Sequence, residues 1–220
     1  MSKIIAFSLW GDNKKYTHGA IENADIAERL FPEWICRYYV GKSVPHKIVE
    51  ELAKRTNTEV YILNEDGDWT GMFWRFYAAS DPTVSCMISR DCDSRLSTRE
   101  KEAVDEWISS DKDFHIMRDH PHHAIEILGG MWGCKNNILT DMVEMINSYK
   151  KGNFWQVDQN FLKEIIYPQI KNNVLIHDEF FEKNPFPTAR NGLEFVGQVF
   201  DENGNTPADH LESLKTALGK

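Results

Sequence analysis

Two rhythms of apolar residues alternate along the first half of the chain. Compact, β-prone runs occupy residues 4–8, 35–40, 60–63 and 84–89, and each reads as a buried strand. Between them lie stretches with a helical period. In residues 17–31, Ile21, Ala24, Ala27 and Leu30 recur at three-residue steps, and Pro32 ends the segment. Residues 45–55 form a second helical stretch opening on Pro45, and residues 72–79 a short third one. This order of strand and helix predicts an α/β protein whose mostly parallel sheet carries helices on both faces.

Beyond residue 95 the pattern loosens. Ser97 and Glu100 form a capping box that opens a helix running to Trp107, and residues 114–117 read as a short strand. A polar turn, Arg118-Asp119-His120-Pro121-His122-His123, precedes the run Ile127-Leu128-Gly129-Gly130-Met131-Trp132-Gly133. Helical patterns follow over 137–149 and 158–166, a last strand over 174–176 leads into His177-Asp178, and a terminal helix spans 207–218. With no repeat, low-complexity tract or flexible linker, residues 1–200 read as one domain of two halves, 1–95 and 96–200, followed by a tail over 201–220.

Composition narrows the class. At 220 residues, 41% hydrophobic and 27% charged, the chain suits a soluble globular protein with a sizeable core. The net charge of -9 argues against nucleic-acid binding through a basic surface. No run of ~18 apolar residues predicts a transmembrane helix, and the apolar stretch at the amino terminus is too short for a signal peptide. Cys36, Cys86, Cys92 and Cys134 show no C-x-x-C spacing, so they read as reduced thiols of a cytoplasmic protein. Seven Trp, seven Tyr and twelve Phe exceed what a minimal core needs, and rings at a cleft would suit sugars or bases.

The sharpest chemical feature is Asp91-Cys92-Asp93, directly after the run over 84–89. Carboxylates at the carboxyl end of a buried strand emerge at the lip of the sheet, where open α/β folds place their ligand crevice. One residue apart, they can share a hard divalent cation such as Mg²⁺ or Mn²⁺, whose shell is completed by substrate phosphates and water. A diphosphate-bearing substrate is the expectation. Arg90 and Arg95 flank the triplet as surface ion-pair partners or as phosphate and hydroxyl contacts. Arg75, alone among Phe73, Trp74, Phe76 and Tyr77, needs an anionic partner on the buried side of its helix: Asp91 in a structural salt bridge, or a bound diphosphate.

Taken in order, these segments resemble the nucleotide-sugar-dependent glycosyltransferases of the GT-A fold over roughly residues 4 to 180. Asp91-Cys92-Asp93 matches the DxD motif of that family, and Gly129-Gly130-Met131-Trp132-Gly133 resembles its glycine-aromatic acceptor loop. Trp155-Gln156-Val157-Asp158-Gln159 resembles the W-x-x-[DE]-[DQ] region near the transferred sugar, and His177 the third metal ligand of several metal-dependent members. The resemblance implies a Rossmann-like sheet in which a nucleotide-binding half, 1–95, is fused to a smaller acceptor-side half, 96–200. It implies transfer of a sugar from a nucleoside diphosphate donor, UDP-linked by preference, to a hydroxyl of a glycan or glycoconjugate, with Mn²⁺ or Mg²⁺ as cofactor.

Candidate roles follow. Asp91, Asp93 and His177 would hold the metal. Ser8, Leu9, Trp10, Tyr16, Arg75, Asp91 and Cys92 would receive the nucleotide, with Trp10 either stacking on the base or packing inside. Gly129, Gly130, Met131, Trp132, Asp158 and Gln159 would face the acceptor, Trp132 either under a sugar ring or as a core residue closing the turn. Asp158, Asp93 and Arg75 would carry the chemistry, although Asp158 would also serve as a plain helix N-cap. His120, His122, His123 and Cys134 leave open a zinc site, against sugar contacts made through His120 or Asp119. Two other functions compete. A sugar nucleotidyltransferase would open with a glycine-rich, basic phosphate loop, which Leu9-Trp10-Gly11-Asp12-Asn13 does not resemble. A non-catalytic carbohydrate- or metal-binding module would have no nucleotide affinity.

Overall fold

The computed structural model describes residues 1–135 and 138–220. Its first half runs β1 (Ser2–Leu9), α1 (Lys14–Leu30), β2 (Trp34–Val40), α2 (His46–Ala53) and β3 (Thr58–Ile62), then a 3₁₀ segment (Trp69–Ser80) and β4 (Val84–Arg90). The second half holds α3 (Thr98–Ser109), β5 (Phe114–Arg118), β6 (Trp132–Lys135), α4 (Met142–Ser148) and α5 (Val157–Phe161). A π turn (Leu162–Ile166), α6 (Tyr167–Ile170), β7 (Val174–Asp178) and α7 (Ala208–Ala217) complete it.

Among the described residues the seven strands join in one sheet of order β3-β2-β1-β4-β6-β5-β7. β6 pairs antiparallel with both β4 and β5, and the remaining pairs are parallel. The pleat of β1 sorts the core. Ile4 and Ala6 face Phe73, Phe76 and Phe161 on one side; Ile5, Phe7 and Leu9 face Ala20, Ala24 and Trp107 on the other. Burial on both faces is why the strand reads as an unbroken apolar run. Each large apolar side chain so buried contributes about 1.5–3 kcal/mol.

Local sequence sets the edges of these elements. Asn13 Oδ1 accepts from the Lys15 backbone N–H at 3.0 Å, so α1 starts at Lys14, earlier than the apolar period alone predicts. The stretch expected as a short α-helix over 72–79 is a 3₁₀ helix instead. With three residues per turn, i and i+3 eclipse. Phe73, Phe76 and Ala79 therefore share the core side, while Met72 and Arg75 share the side that meets a cavity. The helix expected over 158–166 continues through the π turn into α6, where Pro168 has no N–H to give one turn back. The helical pattern over 137–149 begins outside the described residues, and α4 is what is described of it.

Two corrections concern the glycine-aromatic run and the last strand. Trp132 and Gly133 belong to a strand, β6, which the sequence reading took as loop; four residues with a glycine are too short to show a strand period. β7 extends through His177 and Asp178, placing both inside the sheet instead of just past it.

The segment after β7 is tied back by Asp119. This fully buried carboxylate accepts from Arg99 Nε (2.9 Å) and Nη2 (3.1 Å), from Arg190, and from the Val196 N–H (2.9 Å). Around it Ala103, Met117, Met131, Phe186 and Val196 form a third, smaller core. Among the described residues no helix is long and apolar enough to cross a membrane.

Candidate active site

β1 and β4 run parallel with Phe7 beside Arg90, so the loops that leave them emerge together at one edge of the sheet. Asp91-Cys92-Asp93 turns over that edge. Cys92 points inward and donates its Sγ–H to Ser8 O at 3.4 Å, leaving the two carboxylates on the outer side. Ser94 closes the turn with its Oγ on Asp91 O (3.0 Å), and Asn23 of α1 fastens it through Ser94 O (2.8 Å) and the Leu96 N–H (3.0 Å).

α1 lies directly against this turn. A methyl group on Gly19 would collide with Cys92 O, so only glycine allows the approach. Lys15 stands one helical turn earlier on the same face, and its Nζ lies 2.7 Å from Asp93 Oδ2. Sequence reasoning missed Lys15, because a lysine in a first helical turn ordinarily points to water. The signal was there in its i, i+4 spacing from a glycine on a helix that follows the first strand. Burial raises the Asp93 carboxyl, with Asp91 adding to it and Lys15 opposing. Burial pulls the Lys15 ammonium down, but Asp93, with Tyr16 and Asp91, together hold it above its usual range.

Arg75 forms the second half of the site. It is 4% exposed, and Ser8 Oγ, accepting from the Arg75 backbone N–H at 3.0 Å, pins its segment to the end of β1. Its guanidinium donates through Nη1 to Asp91 Oδ1 and through Nη2 to Asp158 Oδ2, the latter at 2.8 Å. Asp158, near the start of α5, is almost wholly buried, and its Oδ1 has no hydrogen-bond partner among the described residues. Burial, and more weakly Asp91, raise its carboxyl against the pull of Arg75. Just before it, Gln156 takes a left-handed φ of 69°, a backbone strain that concentrates at functional sites. The expected anionic partner of Arg75 is thus Asp91, with Asp158 as a second.

Gly129 and Gly130, in the turn that leads into β6, close the network. A methyl on Gly129 would overlap Asp158 Oδ2 and Arg75 Nη2, and one on Gly130 would overlap Asp91 Oδ2. Their backbone is held by Ser89 Oγ, which donates to Gly129 O at 2.7 Å. Arg75, Asp91, Asp93, Gly129, Gly130 and Asp158 border one cavity of about 510 Å³. Ser8, Leu9, Trp10, Tyr16 and Cys92 line it on the β1 side, and Met131, Gln159 and the 65% exposed Trp155 on the other. Trp10 also packs edge-on against Trp74, with ring centroids 6.0 Å apart. The far wall is a cluster of imidazoles: His120, His122 and His123 from the turn after β5, and His210 from α7, around Phe195.

Other candidates lie elsewhere. His177 is buried on β7, three strands from β4, or roughly 14 Å at about 4.8 Å per strand. One ring nitrogen meets His115 Nε2 at 2.8 Å and the other faces Glu106 at 3.5 Å, so the structure does not bring it to Asp91 and Asp93. Trp132 is fully buried in the core, edge-on to Phe76, and offers no face to the cavity. Asp119 is consumed by its arginines, which leaves His120 of the sugar-contact pair at the cavity. Cys134 is buried on β6, apart from the histidines.

The donor set bears on which metal the site could take. Asp91 and Asp93 offer hard oxygen ligands, the first with its side chain 45% exposed and the second 15%. Two carboxylates suit Mg²⁺ or Mn²⁺ that draws its remaining ligands from phosphate and water. They do not suit a metal caged by protein alone, and among the described residues no group of three His, Cys, Asp or Glu side chains is placed to hold a metal ion.

No protein-family model matches the chain, and no curated protein matches it in sequence. Solved structures do resemble it. A glycosyltransferase involved in the glycosylation of the major capsid of PBCV-1 matches with TM-score 0.55 and 13% identity, over 83% of this chain and 84% of that one. The 4-diphosphocytidyl-2C-methyl-D-erythritol synthase of Anaerococcus prevotii matches with TM-score 0.54 and 10% identity, over 100% and 99%. At such identities the likeness is one of fold. The fold is GT-A-like: a mixed, mostly parallel seven-stranded sheet with helices around it.

Proposed function

We propose that this protein is a glycosyltransferase that moves a sugar from a nucleoside diphosphate donor, UDP-linked by preference, to a hydroxyl of a glycan or glycoconjugate. One observation carries the reading: Asp91, Asp93, Arg75 and Asp158 meet Gly129-Gly130 at one cavity above the carboxyl ends of β1 and β4. Mn²⁺ or Mg²⁺, held by Asp91 and Asp93, would act as a Lewis acid toward the leaving diphosphate. Arg75 keeps Asp91 in place and sets a fixed positive charge beside the departing group. Trp10 and Tyr16 offer rings to the base, and Trp155 and Gln159 offer a face and an amide to the sugars.

Transfer breaks the bond from the sugar's anomeric carbon to the diphosphate oxygen and forms one to the acceptor oxygen, whose proton must leave. Asp158 suits that proton in an inverting reaction. Its Oδ1 has no partner among the described residues, and its carboxyl, raised by burial, is a better base than an exposed aspartate. In a retaining reaction the same carboxylate would face the positive charge that develops on the sugar.

The nucleotidyltransferase reading gains from two observations: the synthase of similar fold, and a lysine near the end of the first strand despite the absence of a glycine-rich loop. Calorimetric titration with UDP, with and without Mn²⁺, tests the main reading. Metal-dependent binding is expected for the wild type and is expected to fall at least tenfold in Asp93→Ala. If GDP binds and UDP does not, the donor base changes and the reading stands. Release of pyrophosphate from a nucleoside triphosphate and a sugar phosphate would establish the nucleotidyltransferase instead. Failure of both nucleotides to bind, with or without metal, would reject transfer from a nucleotide sugar.

A further inference from the structure

Lys15 is placed by backbone packing and not by its own side chain alone. Asn13 fixes where α1 begins, Gly19 seats the helix on Cys92 O, and the ammonium then falls 2.7 Å from Asp93 Oδ2 with Tyr16 beside it. The slot it fills is electrostatically the one a divalent cation would fill. Three carboxylates, Asp91, Asp93 and Asp158, face two protein cations, Lys15 and Arg75, which leaves one formal negative charge. The two cations differ in freedom. Arg75 is buried and held at both ends of its fork, whereas the Lys15 side chain is 28% exposed and swings on a flexible stem.

We propose that Lys15 is a displaceable internal counter-ion of Asp93, which a divalent cation must evict in order to bind. The proposal rests on the metal-and-diphosphate reading of the site. A cation that arrives alone breaks the Lys15–Asp93 pair and leaves the ammonium beside it without an anion. A cation that arrives with a nucleoside diphosphate gives the evicted ammonium a phosphate oxygen to hold. Metal and nucleotide therefore strengthen each other's binding, and by linkage they do so equally.

The test measures Mn²⁺ binding directly, by the loss of the free-ion paramagnetic resonance signal, in the absence and presence of saturating UDP. Lys15→Met is expected to bind Mn²⁺ alone at least tenfold more tightly than the wild type. The gain that UDP confers on Mn²⁺ affinity is expected to shrink in the same variant. Lys15→Gln should repeat the pattern and Lys15→Arg should keep wild-type behaviour, with circular dichroism confirming that each is folded. Equal or weaker Mn²⁺ binding in both neutral variants, or no Mn²⁺ binding by any of the proteins, would overturn the proposal. Tighter Mn²⁺ binding in the variants with no affinity for UDP or GDP would sustain the counter-ion and reject the transferase reading.

Discussion

Arg75 shows how far single residues determine this site. It is a buried cation paired with Asp91, whose side chain is 45% exposed, and with Asp158, which is as buried as the arginine and would otherwise stand unpaired. Removing one member of a buried pair strands the other charge, at a cost of about 3–5 kcal/mol. Arg75→Met is therefore expected to lose about that much in urea unfolding. The double variant Arg75→Met with Asp158→Asn should lose less than the sum of the singles, since the orphaned charge is gone. Strict additivity would mean that the pair does not interact. Much of this was legible in the sequence: an arginine alone among aromatics needs an anion, and aspartates after an apolar run needed a place at the sheet edge. Lys15, by contrast, was hidden by its ordinary setting, and His177 was misplaced because its order along the chain says nothing of the strands between it and β4.

At the scale of elements, α1 is the part that sets the geometry of the aspartate turn. Gly19 faces Cys92 O so closely that a methyl has no room, and the obstacle is backbone, which cannot swing aside. In an exposed helix interior Gly→Ala stabilises by about 1 kcal/mol. Here overpacking, typically about 1–3 kcal/mol, opposes that gain. Gly19→Ala is expected to lower the melting temperature and to weaken Mn²⁺-dependent UDP binding, since the turn must shift with the helix. A rise in melting temperature would show that α1 does not press on the turn. The long elements of the first half were readable because alternating and helical periods run for many residues in them. β6 and the 3₁₀ segment were not. The first has four residues, and the second has an apolar spacing that fits three or 3.6 residues per turn equally well.

For the whole molecule, the imidazole wall couples the cavity to the chain beyond β7. His120 Nε2 lies 2.9 Å from His210 O on α7, and the rings of His120 and His123 pack on Phe195. Burial drives the pKa of His120 down to about 4 and that of His123 to about 3, with neighbouring histidines and Arg190 adding to the effect. Both are neutral in the folded protein, while in the unfolded chain they titrate near 6.5. As pH falls below that value the unfolded chain takes up protons that the native state refuses, so stability declines. The decline should begin near pH 6.5 and end near 4 for His120 and near 3 for His123. Asp93, Asp158 and Glu100 work in the opposite direction: burial raises their carboxyls, so the native state is protonated first and gains on acidification. Substitution separates the two contributions. The melting temperature of the wild type is expected to fall between pH 6.5 and 4.5, and that of His123→Asn to fall less over the same interval. Proteolytic cleavage within residues 180–210 should appear over the same range in the wild type, as protonation of His120 and His123 in the opened segment favours release of α7 and Phe195 from the wall. If the two melting profiles ran parallel, His123 would contribute nothing to the acid response and the wall would be only packing.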